Sequence, residues 1–334
     1  MQCIEQTIAD RYALYCGDSA EVLKDIPSDS IHYSIFSPPF ASLYTYSNSD
    51  RDLGNCRSNA EFFKHFRFIA AELFRTLVPG RCMSVHCMDI PAMKERDGYI
   101  GLIDFPGELI RMFESLGFIY HSRVAIWKDP LVEATRTKAI GLMHKQLCKD
   151  SAMCRNGLPD YLLTFRKPGE NPQPVAHPDG LDSFAGEDEP RAPKRAEVLR
   201  SRDAINDHHS QIQTQDPVYS HQVWRRYASP VWMDIRQSNT LNARAARDDK
   251  DERHICPLQL DVIERALTLY TNPGDTVLSP FAGIGSEIYQ ALVMGRRGIG
   301  VELKESYYRQ AVKNCAGAAR GDQVTMTELL EVAP

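Results

Sequence analysis

The sequence predicts an α/β fold, a doubly wound and mostly parallel sheet interrupted by an inserted region. Three observations carry this expectation. Strand-like apolar runs alternate with helical periodicity at both ends of the chain, one strand halts at Pro38-Pro39, and another enters a two-glycine turn that opens a helix. Repeated strand–helix units specify a parallel sheet, because each crossover helix returns the chain to start the next strand alongside the last.

Taken in order, residues 13–16 form a short apolar run, and Asp18, after Gly17, stands where a helix N-cap belongs. Residues 31–36 read as a strand stopped by Pro38-Pro39, since proline donates nothing to a ladder. Asn59 is the expected cap of a helix in which Phe62, Phe66, Ile69, Leu73 and Leu77 recur at helical spacing, ended by Pro79-Gly80. Residues 82–88 read as a buried strand, 108–116 as a helix and 118–127 as another strand. From Pro168 to about Pro217 the chain is rich in Pro, Asp, Gln, His and Arg without hydrophobic periodicity, which predicts an exposed, flexible stretch. The pattern then resumes with a helix over 258–270, a strand over 276–279, a helix over 284–294 closed by Gly295, a strand over 298–302 and a helix over 305–315.

The 334 residues, 43% hydrophobic and 25% charged, suffice for one large domain with insertions and exclude collagen-like, coiled-coil and wholly disordered chains. No apolar run approaches the ~20 residues of a membrane span, and no signal peptide opens the sequence. Nine cysteines without a Cys-x-x-Cys pair argue against a disulfide framework or a zinc site, and no metal is expected; they point to a reducing cytoplasm. A net charge of −5 speaks against a polyanionic partner until its distribution is read. Residues 134–149 hold Arg136, Lys138, Lys145 and Lys149 without an acid, residues 191–202 hold five bases against Glu197, and residues 179–189 hold five carboxylates. Such segregation suits a phosphate-contacting insert on an acidic body, and Trp224-Arg225-Arg226-Tyr227 adds aromatics to guanidinium groups. A solvated helix face would account for the same basic run, and Trp224 would serve equally as a core residue.

Two turns carry the chemistry. The run Ser279-Pro280-Phe281-Ala282-Gly283-Ile284-Gly285-Ser286 joins a strand to a helix through glycines, which permit a ligand to approach the backbone closely. Glu302 ends the next strand, 17 residues after Gly285, where a carboxylate can accept both hydroxyls of a ribose. Position 288 is Ile rather than a third glycine, which disfavours a pyrophosphate cofactor such as NAD. The second turn, Ser37-Pro38-Pro39-Phe40, follows a strand at its carboxyl end. Its rigid prolines, Ser37 acceptor and Phe40 face can hold a planar base by its exocyclic amine. Acceptors at Ser37 Oγ and the Pro38 carbonyl would pyramidalise that nitrogen and free its lone pair.

Together these stretches resemble the amino-group DNA methyltransferases that use S-adenosylmethionine, and the order, catalytic turn before cofactor glycines, is similar to the circularly permuted β class. The segment Gly17-Asp18 through Leu23 resembles the class's N-terminal block. His254-Ile255-Cys256-Pro257-Leu258 resembles its cofactor-side motif, usually Lys-Pro-x-x-Leu, with a departure at His254 and Cys256. The resemblance covers roughly residues 10–130 and 250–316. It implies a Rossmann-like methyltransferase fold and S-adenosylmethionine as cofactor. Phe281, Gly283, Gly285 and Ser286, with Ser279 and Ala282 beside them, would line the methionine and ribose end. Glu302 would take the ribose hydroxyls and Asp18 the adenine amine of the cofactor, while Ser37, Pro38, Pro39 and Phe40 would hold a flipped base.

The resemblance divides the chain into residues 1–130, the N-terminal catalytic half, 131–250, a target-recognition insert with a flexible 168–217, and 251–334, the cofactor half. Arg136, Lys138, Lys145, Arg155, Trp224, Arg225 and Arg226 are the expected contacts to double-stranded DNA. Ser37 resembles cytosine-N4 enzymes, whereas stand-alone members of the class more often modify adenine, so the expectation leans to adenine N6 with cytosine N4 as the alternative. Competing readings are a DNA-binding protein with a vestigial core, an NAD-dependent dehydrogenase, and methylation of RNA or a protein glutamine. No nuclease constellation is present in the sequence, so a solitary methyltransferase is expected. The resemblance also allows for a homodimer.

Overall fold

The computed structural model describes residues 3–39, 53–56, 58–92, 94–137, 144–153, 155–188, 217–242, 246 and 257–321. Among them are eleven strands: β1 (Glu5–Ile8), β2 (Tyr12–Cys16), β3 (Tyr33–Phe36), β4 (Cys82–Cys87), β5 (Ile90–Ala92), β6 (Gly101–Ile103), β7 (Ile119–Ile126), β8 (Asp160–Arg166), β9 (Val231–Trp232), β10 (Thr276–Ser279) and β11 (Arg297–Glu302). Nine form one sheet in the order β1-β2-β11-β10-β3-β4-β8-β7-β9, while β5 and β6 pair separately. Strands β2, β11, β10, β3 and β4 are mutually parallel, and β8 runs antiparallel to both β4 and β7.

The last strands in the sequence therefore lie in the middle of the sheet. From β10 the chain steps to β11 on one side; from β3 it steps to β4 on the other. The neighbours β10 and β3 mark the place where the winding reverses, and at such a point the crossovers diverge and leave a crevice at the carboxyl ends.

Helices cover both faces. On one face, Phe62, Phe66, Ile69 and Leu73 of the Asn59–Thr76 helix and Leu109 and Phe113 of the Phe105–Ser115 helix bury against Phe36, Val85 and Phe165. On the other, Val262, Ile263, Ala266 and Leu267 of the Leu260–Tyr270 helix pack on Tyr33, Ile35, Leu162 and Val277. The Ser286–Val293 and Glu305–Arg320 helices cover Leu14 and Cys16. Burial of this kind contributes about 1.5–3 kcal/mol per large apolar side chain, more than any helix propensity.

Several expected boundaries shift. The cap of the Asn59–Thr76 helix is Ser58, whose hydroxyl accepts the Glu61 N–H at 3.2 Å from an extended backbone, so Asn59 is already helical. Leu77 has left that helix and bridges to Ile31. The helix expected over 108–116 starts at Phe105 because Asp104 accepts the Gly107 N–H at 2.8 Å. Asp18 caps the Ser19–Val22 turn as expected, accepting the Ala20 N–H at 2.9 Å.

One difference is larger. Strand β8 falls inside the range 131–250 expected to form the insert, yet it sits between β4 and β7 in the main sheet. A buried hydroxyl chain fixes it there: the Tyr33 hydroxyl donates to Ser84 Oγ at 2.7 Å, and Ser84 Oγ lies 2.9 Å from Thr164 Oγ1. Residues 168–188, within the stretch expected to be flexible, form no regular element but bury Leu181 and Ala185. The buried Arg265 holds them, its Nε donating to the Ala185 carbonyl at 2.8 Å and its guanidinium lying about 5 Å from the rings of Phe184, Tyr227 and Trp232. Residues 189–216 lie outside the described residues. No helix among the described residues is long and apolar enough to cross a membrane.

Candidate active site

Strands β3 and β10 run in the same direction with Ser34 opposite Leu278, and the Ser34 hydroxyl donates to the Leu278 carbonyl at 2.9 Å. The turns that follow the two strands consequently emerge side by side at one edge of the sheet. Phe281, in the glycine turn, is half-buried with its ring 5.7 Å from Phe36 and 5.9 Å from Phe66, so it welds that turn to the end of β3.

The two glycines of the turn differ. Both are left-handed, Gly283 at φ +53° and Gly285 at φ +87°. A Cβ on Gly285 would stand 3.1 Å from Ala311 Cβ and 3.2 Å from Cys315 Sγ, so this glycine serves helix packing. A Cβ on Gly283 would meet no atom within 4 Å, so its backbone faces open space. The Gly283 N–H donates to Glu302 Oε2 at 2.8 Å, and the Lys304 N–H donates to Oε1 at 2.9 Å. Glu302 is thereby locked at the end of β11 with its carboxylate beside the turn. The Gly17 N–H donates to the Glu302 carbonyl at 2.9 Å, and the Ser19 hydroxyl donates to the Pro280 carbonyl, which joins the Asp18 turn to the same edge. Ser279 Oγ is buried without a hydrogen-bond partner. An orphaned hydroxyl costs about 1–3 kcal/mol unless a ligand satisfies it. Ala282 and Ser286 are buried in the floor of the turn. Glu287, in the first turn of the following helix, is fully enclosed; burial, helped by the charge of Glu302, pushes its carboxyl up to about 8. An open-backed glycine, a held carboxylate and an orphaned hydroxyl fit a nucleoside cofactor such as S-adenosylmethionine.

The Ser37 turn brings a second set together. Pro38 is buried, while Ser37 and Pro39 are half-buried; Phe40 lies outside the described residues. Ser37 Oγ stands 2.8 Å from His86 Nδ1 and donates alternatively to the His86 carbonyl at 3.2 Å. Asp160 lies behind His86, its Oδ2 3.3 Å from Nε2, and its Oδ1 accepts from Lys128 Nζ at 2.6 Å. Burial pushes the Asp160 carboxyl up, but His86 and Lys128 outweigh it and hold it at about 2. None of His86, Asp160 and Lys128 is marked in the sequence. His86 sits within an apolar strand, 74 residues before Asp160, and only the antiparallel pairing of β4 with β8 brings them together.

The residues expected to contact DNA are dispersed over several elements. Arg136 lies in the Pro130–Thr137 helix and Lys145 is exposed in the His144–Leu147 helix. Arg155 is half-buried and close enough to Asp89, just beyond β4, to oppose the upward shift that burial imposes on that carboxyl. Trp224 is 58% exposed, which removes the core alternative, and Arg225 and Arg226 are exposed beside it on the Pro217–Tyr227 helix. Arg226 also pairs with Asp234 at 3.4 Å. Lys138, the basic run 191–202, His254, Ile255 and Cys256 lie outside the described residues.

Comparison with known proteins matches residues 31–313, most of the chain, to the family model described as DNA methylase. The type II methyltransferase M.MjaI of Methanocaldococcus jannaschii is 22% identical over 323 residues, covering 90% of this chain and 89% of that protein. Among solved structures, TTHA0409 of Thermus thermophilus, in complex with S-adenosyl-L-methionine, superposes with a TM-score of 0.58 at 22% identity, covering 93% of this chain and 97% of that one. The PvuII DNA methyltransferase, named as cytosine-N4-specific, gives a TM-score of 0.57 at 17% identity, covering 99% of this chain and 94% of that one.

Proposed function

This chain belongs to the DNA methylase family, and on that premise we propose how its residues divide the work of an S-adenosylmethionine-dependent DNA methyltransferase. The observation that carries the proposal is the convergence of the Ser37 turn and the glycine turn at the ends of adjacent parallel strands.

Glu302, fixed by the Gly283 and Lys304 amides, accepts the ribose hydroxyls of the cofactor, and Gly283 lets the ligand lie against the backbone. Ser279, Phe281, Ala282, Gly285 and Ser286 shape the same pocket, and Asp18 receives the adenine amine. Bound there, S-adenosylmethionine supplies an electrophilic methyl group on a sulfonium. Ser37 Oγ and the Pro38 carbonyl accept the two hydrogens of the target amine, Pro39 fixes the turn, and Phe40 stacks on the base. An amine that is conjugated with its ring is a weak nucleophile, and two acceptors that favour a pyramidal nitrogen return its lone pair to it. The base must leave the duplex to reach this edge, because its amino nitrogen is enclosed in a stacked helix.

For the target base, the proposal follows the expectation of adenine N6. A second reading, cytosine N4, rests on a specific observation: the acceptor at the head of the turn is the neutral hydroxyl of Ser37 rather than a carboxylate. Arg136, Lys138, Lys145, Arg155, Trp224, Arg225 and Arg226 contact phosphates and base edges in this proposal, and affinity falls steeply with salt. The protein acts in the cytoplasm.

The test is transfer of an isotopic methyl group to unmodified plasmid, followed by nucleoside analysis, for wild type and Ser37→Ala. Labelled N6-methyladenine or N4-methylcytosine that disappears in the variant is the expected result and names the base. Cofactor binding without transfer to any DNA overturns the proposal.

A further inference from the structure

A serine hydroxyl has one hydrogen and two lone pairs. If Ser37 is to accept a hydrogen from the target amine, its own hydrogen must point elsewhere and stay there. The structure offers two acceptors, His86 Nδ1 at 2.8 Å and the His86 carbonyl at 3.2 Å. Nδ1 can accept only when the ring proton sits on Nε2, and a carboxylate facing Nε2 favours that tautomer. Asp160 is that carboxylate, at 3.3 Å, and Lys128 fixes its other oxygen at 2.6 Å. The Nε2–Oδ2 approach is long and off-line for a hydrogen bond, and contacts of this kind tighten when substrate loads the site. Both Asp160 and Lys128 side chains are only 7% exposed. A buried ion pair adds little stability over a well-packed apolar pair, so stability alone gives no reason for a chain of ionisable groups that ends on Ser37.

We propose that His86, oriented by Asp160 and Lys128, is a positioning residue that turns the Ser37 oxygen into a dedicated acceptor for the target amine and takes up the proton released by methylation. The inference rests on the reading that Ser37 receives that amine. As the nitrogen lone pair forms the new N–CH3 bond, the S–CH3 bond breaks with its electron pair left on sulfur, and the positive charge moves to nitrogen. The nitrogen then loses one N–H proton to Ser37 Oγ while the original Ser37 proton passes to His86 Nδ1. The methylated amine is left neutral and His86 is left as an imidazolium against the Asp160 carboxylate. Nδ1–H now donates to Ser37 Oγ, and the new Ser37 hydroxyl turns to the His86 carbonyl, so the two contacts of Ser37 serve before and after transfer. His86 returns its proton to solvent when product leaves. No oxidant or reductant enters.

The experiment uses the full chain and the variants Ser37→Ala, His86→Ala, Asp160→Asn and the Ser37→Ala/His86→Ala double. Ring-nitrogen NMR of the protein without ligands is expected to show His86 protonated on Nε2 in wild type and a shift toward the Nδ1–H tautomer in Asp160→Asn. Single-turnover transfer to plasmid DNA is expected to slow by about 100-fold in His86→Ala, with dissociation constants for S-adenosylmethionine and DNA unchanged. Added imidazole should restore the rate of His86→Ala at least about tenfold and leave the double variant unrescued. If Ser37→Ala transfers at the wild-type rate, the parent reading fails. If Ser37→Ala is inactive while His86→Ala keeps the wild-type rate, or if the wild-type ring carries its proton on Nδ1, the parent reading stands and this inference is overturned. Should His86→Ala fail to fold, the tautomer and the Asp160→Asn rate decide, an unchanged rate counting against the inference.

Discussion

Alanine at Gly283 and alanine at Gly285 make nearly the same chemical change two residues apart in one turn, yet the structure assigns them opposite consequences. Both positions are left-handed, which costs an alanine about 1 kcal/mol relative to glycine. At Gly285 the added methyl also meets Ala311 Cβ at 3.1 Å and Cys315 Sγ at 3.2 Å on the buried side of the Glu305–Arg320 helix, and overpacking of this kind costs about 1–3 kcal/mol more. Gly285→Ala should therefore lose about 2–4 kcal/mol of stability. At Gly283 the methyl meets nothing within 4 Å, so Gly283→Ala should lose only about 1 kcal/mol. In the site proposed above, that methyl would occupy the space assigned to the cofactor, so cofactor affinity should fall at least about tenfold, or about 1.4 kcal/mol. Denaturant unfolding gives the first quantity and calorimetric titration with S-adenosylmethionine the second. A Gly283→Ala protein that binds like wild type, or a Gly285→Ala protein as stable as wild type, would refute this assignment of the two glycines.

Other perturbations follow from the same geometry. Glu302→Gln keeps one acceptor for the Gly283 and Lys304 amides but loses the charge, and charge-assisted bonds are worth about 1.5–3 kcal/mol; S-adenosylmethionine affinity should drop about 10- to 100-fold, and an unchanged titration would remove Glu302 from the site. Glu287 has a carboxyl raised from the ordinary range to about 8, so the folded chain holds a proton that the unfolded chain releases. Its stabilising contribution is complete below about pH 4.5 and disappears as the pH rises toward 8. Glu287→Gln should flatten that decline, with a gain on the order of a few kcal/mol at pH 8 in denaturant titrations; parallel stability–pH curves for the two proteins would count against a buried neutral acid. Arg265 is enclosed by three aromatic rings and pairs with Asp234 at 2.9 Å. Arg265→Met leaves that buried carboxylate only the longer 3.4 Å contact to the exposed Arg226, and unfolding should show a loss of about 3 kcal/mol together with new protease cleavage within residues 168–188; a loss below about 1 kcal/mol would mean that Arg226 compensates or that the strap is held by other contacts.

The two turns were legible because their signals are local. Pro38-Pro39 must end a strand wherever it occurs, and a glycine pair between an apolar strand and a helix demands left-handed backbone whatever the rest of the chain does. Asp18 as a cap is of the same kind, since its partner is two residues away. The cap of the Asn59–Thr76 helix is Ser58 rather than Asn59 because two adjacent polar residues can each cap, and the backbone angle that decides between them is set by the preceding chain.

Strand β8 was illegible for a different reason. Its run Asp-Tyr-Leu-Leu-Thr-Phe-Arg carries a strand pattern, but it falls between a basic segment and a proline-rich one, and only its partners β4 and β7 reveal that it belongs to the main sheet. The His86–Asp160–Lys128 set shares that fate, because the register that faces His86 toward Leu162 is a property of a strand pair and of neither strand alone.

By itself, then, the sequence determined where backbone chemistry is forced: the proline stop, the glycine turn and the carboxylate at the end of the strand that follows; the class of reaction came through the family that these motifs resemble. Tertiary structure alone decided which glycine touches protein and which faces open space, and what stands behind Ser37. Local stereochemistry is written into each residue and its near neighbours. Packing and proton relays depend on which distant strands hydrogen-bond, and no short stretch of chain contains that information.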